Sequence, residues 1–334
     1  MREAWLKARS VVTSRWFVKA AFFTYFVYAC VQLMRFAAWA RGQGPYVDRP
    51  EGPAGILPVG HYTSFFAWVR GGGWDTLLPA GLVIIIGALT LSLLFKRGFC
   101  GWICPVGTVW QGFAALGRKL LGRNIRLPKW LDLGLRGMRY VLAAAVLALL
   151  LMVSLPEAVG FRELPYMWTA DIKIISGFGS PLYLAVVLFA GAVSTILGPV
   201  WCRYLCPLGG WYGALGTLSA LWVHRDAETC IDCKKCTKSC PAFVDVHTKR
   251  DVHSPECDGC MDCVKVCPVD GCLEATVAGK KRIPAWVWPV LVVGVWIAIY
   301  GTAKVTGNWD SSIPDETFKS AINSGIIESV TPMF

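Results

Sequence analysis

From Cys230 to Pro268 the chain reads CIDCKKCTKSCPAFVDVHTKRDVHSPECDGCMDCVKVCP. Eight of the 14 cysteines fall in this stretch, as Cys230-x2-Cys233-x2-Cys236-x3-Cys240-Pro241 and Cys257-x2-Cys260-x2-Cys263-x3-Cys267-Pro268. Three closely spaced thiolates hold three corners of one four-iron cube without help from distant chain, and the fourth cysteine of such a run serves the other cube. The spacing therefore predicts one [4Fe–4S] cluster on Cys230, Cys233, Cys236 and Cys267, and a second on Cys257, Cys260, Cys263 and Cys240. Each proline ends its ligand turn, because it fixes its own φ and supplies no amide donor. Zinc is the rival reading, since paired C-x2-C motifs also bind it. Zinc takes its ligands as two pairs, whereas each run here offers three evenly spaced cysteines and then Cys-Pro. Cys272 lies outside the pattern and reads as a packed thiol.

On either side of this segment the chain is lipid-like. Hydrophobic residues make up 55% and charged residues only 16%, against about 25% charged in soluble domains. The apolar residues gather into five blocks, about Trp16–Ala40, Leu77–Phe95, Arg139–Leu155, Leu182–Val200 and Ala285–Ala303. Each is near the roughly 20 residues that cross a bilayer as a helix. The first is longer than a signal-peptide core and has no A-x-A-like site after it, so it reads as a retained span. Arg35, near its far end, needs an interfacial or buried partner.

The net charge of +11 is unevenly placed. Between Lys96 and Gly137 stand Lys96, Arg97, Arg118, Lys119, Arg123, Arg126, Lys129 and Arg136 against one acid, Asp132. The N-terminal stretch adds Arg2, Lys7, Arg9, Arg15 and Lys19 against Glu3. The stretches 41–75, 157–180 and 304–334 are balanced or acidic. The positive-inside rule then puts the N-terminus, residues 96–137 and the cysteine segment in the cytoplasm, and the tail in the periplasm. In that reducing compartment dense cysteine means metal rather than disulfides. The basic excess is a topology signal, and no nucleic-acid role is expected.

The expected fold is an all-α membrane protein of about five transmembrane helices with a small α+β two-cluster domain. The expected segments are a helical anchor over 1–222, the two-cluster domain over 223–282, a fifth span over 283–303 and a periplasmic tail over 304–334. The anchor repeats itself. Phe99-Cys100-Gly-Trp-Ile-Cys104-Pro-Val-Gly107 matches Trp201-Cys202-Arg-Tyr-Leu-Cys206-Pro-Leu-Gly209, and each copy follows an apolar block. Two pseudo-repeated helical hairpins are expected, related by a two-fold along the membrane normal, a known membrane architecture. Cys100, Cys104, Cys202 and Cys206 would then meet and could hold a third cluster. Alternatively these turns pack the two-cluster domain onto the bundle, or modulate a nearby quinone site.

None of the four histidines, His61, His224, His247 and His253, lies within a span, and no C-x-x-C-H motif occurs, so haem is not expected. The stretch Gly42–Thr76 is rich in aromatics, including Tyr62, Phe65, Phe66, Trp68 and Trp74. It reads either as an interfacial aromatic belt or as part of a quinol pocket with His61 or Asp75 accepting a proton; an apolar wall with few polar groups suits such a ligand. Glu157, Glu163 and Asp171 read as solvated charges or further proton acceptors. In the tail, a short helix from about Asp315 through Glu328 carries a stripe of Phe318, Ile322, Ile326 and Ile327. It either lies on the membrane surface or docks an outer electron carrier.

Residues Cys230–Leu273 resemble the two-cluster bacterial ferredoxins. With CGWICPVG, CRYLCPLGG and the spans, residues 20–303 resemble the NapH/NosR-type polyferredoxins of bacterial respiration. The resemblance implies a quinol dehydrogenase membrane component of the cell inner membrane, exchanging electrons between the quinone pool and other redox subunits of a membrane complex. The chain lacks the long N-terminal outer domain of the larger NosR proteins, so no flavin is expected. The fifth span and the tail go beyond what NapH-type proteins require. Two other roles compete: electron donor for maturation of a metalloenzyme, and subunit of an ion-translocating redox complex. Charged residues inside the spans, which ion translocation needs, are nearly absent.

Overall fold

The computed structural model describes residues 14–56, 58–277, 279 and 281–324. Arg2, Lys7, Arg9, Ile326, Ile327 and Glu328 lie outside the described residues. Five helices carry the apolar blocks: α1 (Arg15–Ala40), α2 (Pro79–Phe95), α3 (Lys129–Met152), α4 (Pro181–Leu197) and α5 (Val287–Val305). Of these, α1, α3 and α5, with 26, 24 and 19 residues, are long and apolar enough to cross a membrane, and they mark the chain as a membrane protein.

The other two are shorter than the sequence suggests, for identifiable reasons. Helix α2 has 17 residues, about 26 Å at 1.5 Å per residue, and stops where Lys96 adopts φ +61°, a left-handed conformation that no helix continues through. Helix α4, also of 17 residues, meets the helix Pro165–Gly177 at a bend of 73°, and the two together form one further candidate span. Pro181 at the break removes an amide donor and disfavours helix at the residue before it. The third helix begins at Lys129 rather than Arg139. The next helix, Leu155–Arg162, starts with a capping box between Ser154 and Glu157.

Contacts divide the chain into two compact units, one of residues 1–23, 87–145 and 188–297, the other of residues 24–86, 146–187 and 298–334. The first therefore gathers the basic stretch 96–137 and the cysteine segment, while the second gathers 41–75, 157–180 and the tail.

In the first unit, strand β1 (Leu221–Arg225), just before the first cysteine run, pairs antiparallel with β2 (Leu273–Val277), just after the second, in the register Leu221↔Val277 to Arg225↔Leu273. Strand β3 (Lys281–Ile283) adds to β2. The ladder ties together the two ends of the cysteine segment. Alternation buries Leu221, Val223, Leu273 and Ala275 in one core with Val244, Val246, Val252, Met261, Trp102 and Trp288. A fully buried aliphatic side chain of this kind contributes about 1.5–3 kcal/mol.

The second unit has its own core of Leu33, Phe36, Ile172, Ile313, Phe318 and Ile322. The tail helix, Asp315–Asn323 within the described residues, buries Phe318 and Ile322 there. Arg49 joins the three segments of this unit. It donates to Glu51 at 2.9 Å and Asp171 at 3.0 Å and lies 4.3 Å over the Phe318 ring. Asp171 is thus a buried partner of Arg49 rather than a solvated charge; a distant arginine, invisible to local sequence, changes its environment. Glu157 is the exposed acid of the capping box. Arg35 is bonded to Gln32 at an exposed position.

Candidate functional site

The two cysteine runs fold alike. Lys234 and Met261, each the residue after the second cysteine of its run, adopt φ/ψ of 58°/11° and 61°/10°. Each opens a five-residue helix, Lys235–Ser239 or Asp262–Val266, that ends at the Cys-Pro cysteine with φ −68°. These turns bring the cysteines round two cavities. Cys230, Cys233, Cys236 and Cys267 line one, and Cys240, Cys257, Cys260 and Cys263 line the other. These are the two quartets expected from the spacing, including the exchange of the fourth ligand. Among the described residues, no three His, Cys, Asp or Glu side chains converge closely enough to hold a single metal ion; the quartets surround cavities, as a four-iron cube needs.

The quartets differ in exposure. Cys233 and its neighbour Ile231 are exposed, whereas Cys260 and Cys263 are buried. Burial pushes the Cys240 thiol up, to about 12, and the Cys257, Cys260 and Cys263 thiols upward as well. Such thiols keep their protons until a metal displaces them. Cys272 contributes to the lining of the first cavity without belonging to the ligand pattern, and its thiol lies 3.6 Å from the Asp226 carbonyl.

The C-x3-C-P copies are also alike. Cys104 caps the helix Pro105–Leu121 and its Sγ accepts from the Gly107 amide at 3.3 Å. Cys206 caps the helix Pro207–Gly216 and its Sγ accepts from the Gly209 amide at 3.4 Å. In each copy the carbonyl of the first cysteine closes over the glycine. A Cβ on Gly107 would lie 2.9 Å from the Cys100 oxygen, and one on Gly209 3.2 Å from the Cys202 oxygen. Burial raises the Cys100 thiol to about 12, helped by the neighbouring Cys104 and Cys206. Burial, Cys206, Cys104 and Cys100 together raise Cys202. The four cysteines therefore lie within electrostatic reach of one another. Burial also pushes the Cys104 thiol up, with the Gly107 amide pulling it back in part; buried thiols of this kind give up their protons to a metal, so these residues fit a four-thiolate site.

Both copies rest on the second quartet. Gly101 approaches so closely that a Cβ there would stand 2.2 Å from the Asp258 carbonyl oxygen. Trp102 Nε1 donates to Gly259 O at 3.0 Å. From the second copy, Arg203 donates to the carbonyl of Ala242, two residues after Cys240.

Charge at this junction is buried and unbalanced. Arg15, Lys19, Lys96, Arg97 and Arg139 are each at most 4% exposed. Facing them are three carboxylates: Asp258 with Arg15 and Arg97, Asp262 with Arg15, and Glu256 with Arg139. Gln111 accepts from Arg15 and donates to Asp258. An excess of buried cations is costly unless anions compensate it, and iron–sulfur clusters carrying four thiolates provide them. Sequence reading missed this set, counting Arg15, Lys19, Lys96 and Arg97 only as topology signals and Arg139 only as the start of an apolar block.

In the second unit, His61 and Asp75 are both buried. The His61 ring lies where a side chain on residue 81 would project, 2.0 Å from a Cβ placed on Gly81. Asp75 is occupied structurally. Its Oδ1 accepts from the amides of Leu77 and Leu78 at 3.0 Å, its Oδ2 from Ser64 Oγ at 2.6 Å, and Arg162 Nε lies 3.8 Å away. It caps the approach to α2.

Comparison with known proteins agrees with this site. The family described as "4Fe-4S binding domain" matches residues 77–124 and 180–225, one C-x3-C-P copy in each, and "4Fe-4S dicluster domain" matches residues 223–268. The chain is 35% identical over 286 residues to YccM of Escherichia coli, a protein named for electron transport, covering 83% of this chain and 80% of YccM. It is 31% identical over 207 residues to the ferredoxin-type protein NapH of Haemophilus influenzae, 58% of this chain and 66% of NapH. It is also 31% identical over 216 residues to the regulatory protein NosR of Pseudomonas aeruginosa, covering 63% of this chain but 29% of NosR. No solved structure matches. On these matches the chain belongs to the NapH/NosR-type polyferredoxin family of iron–sulfur electron-transport proteins.

Proposed function

We propose that this chain is a quinol dehydrogenase-type membrane subunit, exchanging electrons between the quinone pool and a partner redox protein of a bacterial respiratory chain. A bound [4Fe–4S] cluster supplies one-electron chemistry. The chain's residues supply the thiolates, the burial and the counter-charge. The observation that carries the reading is the junction of both C-x3-C-P copies with the buried quartet of Cys257, which gives the anchor a short contact to a candidate cluster. Cys100, Cys104, Cys202 and Cys206 are assigned a third cluster. The exposed rim at Cys233 is assigned to the partner, since one-electron transfer needs close approach of the donor and acceptor.

The first unit is assigned to the cytoplasmic face of the inner membrane and the tail to the periplasm. The grouping of 41–75, 157–180 and the tail in one unit supports that topology, because these are the segments poor in basic charge. In the second unit, proton exchange with quinol is assigned to His61 or Asp75, the two buried titratable groups of the aromatic stretch.

Purified protein in quinone-containing proteoliposomes, treated with a reduced quinol and examined by EPR, tests this reading. Cluster signals should appear with quinol alone. Signals that appear only with dithionite would refute the quinol role while leaving the clusters intact.

A further inference from the structure

Lys96 and Arg97 follow α2 directly. Lys96 holds φ +61°, a strained conformation for a residue with a side chain, and that turn carries both residues into the protein instead of onward along the helix. Lys96 is 1% exposed. Among the described residues its ammonium has no hydrogen-bond partner, and its neighbours are the Trp222 ring, 5.9 Å from Nζ to centroid, and the electrostatic field of Cys257. Arg97, 4% exposed, donates its amide to Cys257 O at 3.3 Å and its Nη2 to Cys202 O at 3.4 Å. Its Nη1 stands 3.5 Å from Asp258 Oδ1, and its Nε is buried without a partner among the described residues.

Two adjacent buried cations with orphaned donors, both beside Cys257, lack a nearby anion among the described residues sufficient to match them. A four-thiolate cubane is that anion, and hydrogen bonds and charge near the sulfurs set its potential. We infer that Lys96 and Arg97 are the positioning residues that raise the reduction potential of the cluster on Cys240, Cys257, Cys260 and Cys263. This rests on the two-cluster reading above. Arg97 is charged at any pH the protein meets, and with its amide on the Cys257 carbonyl and its guanidinium on the Cys202 carbonyl it is a residue shared by the second quartet and the C-x3-C-P cysteines.

The test is an EPR-monitored redox titration of the full-length protein and its Lys96→Gln, Lys96→Met, Lys96→Arg and Arg97→Gln variants, with iron content measured in each. The component assigned to the second cluster is the one that a Cys263→Ser variant lacks. Neutral variants should weaken its one-electron reduction at least tenfold, a fall of about 59 mV, with the component that a Cys233→Ser variant lacks unmoved; Lys96→Arg should keep the parental value. An unmoved second component, or an equal shift in both, would overturn the inference. Should the neutral variants fail to assemble, unmodified protein labelled with 15N-lysine supplies the readout: the reduced second cluster should show a lysine-nitrogen hyperfine coupling, and its absence would overturn the inference. Parental protein without cluster signals or iron would instead refute the two-cluster reading itself.

Discussion

Replacing Gly101 with alanine should loosen the contact between the first C-x3-C-P copy and the second quartet. The new Cβ would lie 2.2 Å from Asp258 O and 3.3 Å from its carbonyl carbon. Both groups are backbone, so the two segments must separate by most of an ångström. Overpacking of this kind costs about 2 kcal/mol. Separation also stretches the bond from Trp102 Nε1 to Gly259 O, now 3.0 Å, and that from Arg15 Nε to Gly101 O, now 3.1 Å, at about 1 kcal/mol each. Alanine's advantage over glycine within the helix Gly98–Trp102 returns about 1 kcal/mol. The net is about 3 kcal/mol, roughly 150-fold in the equilibrium between closed and opened contact. Loss of iron–sulfur absorption on anaerobic heating in detergent, with EPR to separate the two clusters, measures it. The cluster on the Cys257 quartet should be lost first and at lower temperature than in the parent. Gly112→Ala is the control, since nothing lies within 4 Å of a Cβ there. Gly101→Ala with parental heating behaviour, or with the Cys230 quartet lost first, would refute the reasoning.

Cys233→Ser should remove one cluster's EPR signal and Cys263→Ser the other; loss of the same signal in both variants would contradict the assigned quartets. Iron and acid-labile sulfide should each reach about twelve per chain with a third cluster, and about eight in a Cys104→Ser/Cys206→Ser double variant. Arg49→Met leaves Glu51 and Asp171 buried without their cation and should cost about 3–5 kcal/mol, seen as faster hydrogen exchange in residues 41–56 and 311–323. Burial holds the Glu51 carboxyl above its ordinary value, with Arg49 and the Ser311 amide pulling it back only in part. Stability from a raised carboxyl is full below its ordinary value and is lost as pH rises through the raised one. Exchange protection of residues 41–56 should therefore decline with rising pH, and Glu51→Gln should flatten that dependence.

The groupings round the two cavities were legible because three of each four cysteines are local in sequence, and the exchanged fourth follows the pattern of the run itself. The apolar blocks were legible as composition, but the ends of the helices were not: a left-handed turn at Lys96 and a proline at 181 shorten α2 and bend α4. Least legible were the charges. Arg15 meets Asp262 across 247 positions and Arg49 meets Asp171 across 122, and nothing near either arginine announces its partner. Asp75 shows the same limit from the other side. It is a buried acid in an aromatic stretch, and only its bonds to Ser64 and to the amides of Leu77 and Leu78 reveal a cap.

Two duplications meet in the first unit, and they meet unequally. Both C-x3-C-P copies reach the quartet of Cys257, one through Gly101 and Trp102 against Asp258 and Gly259, the other through Arg203 against Ala242. The quartet of Cys230 keeps an exposed rim at Ile231 and Cys233. Cys240, the fourth member of the buried quartet, belongs to the run that supplies three members of the exposed one, so a single short stretch of chain from Cys230 to Cys240 links the two. A disturbance entering from the repeated turns must therefore reach the buried quartet before the exposed one. That asymmetry, imposed on two runs of the same backbone geometry, seats the buried quartet against the repeated turns and leaves the other exposed at Ile231 and Cys233.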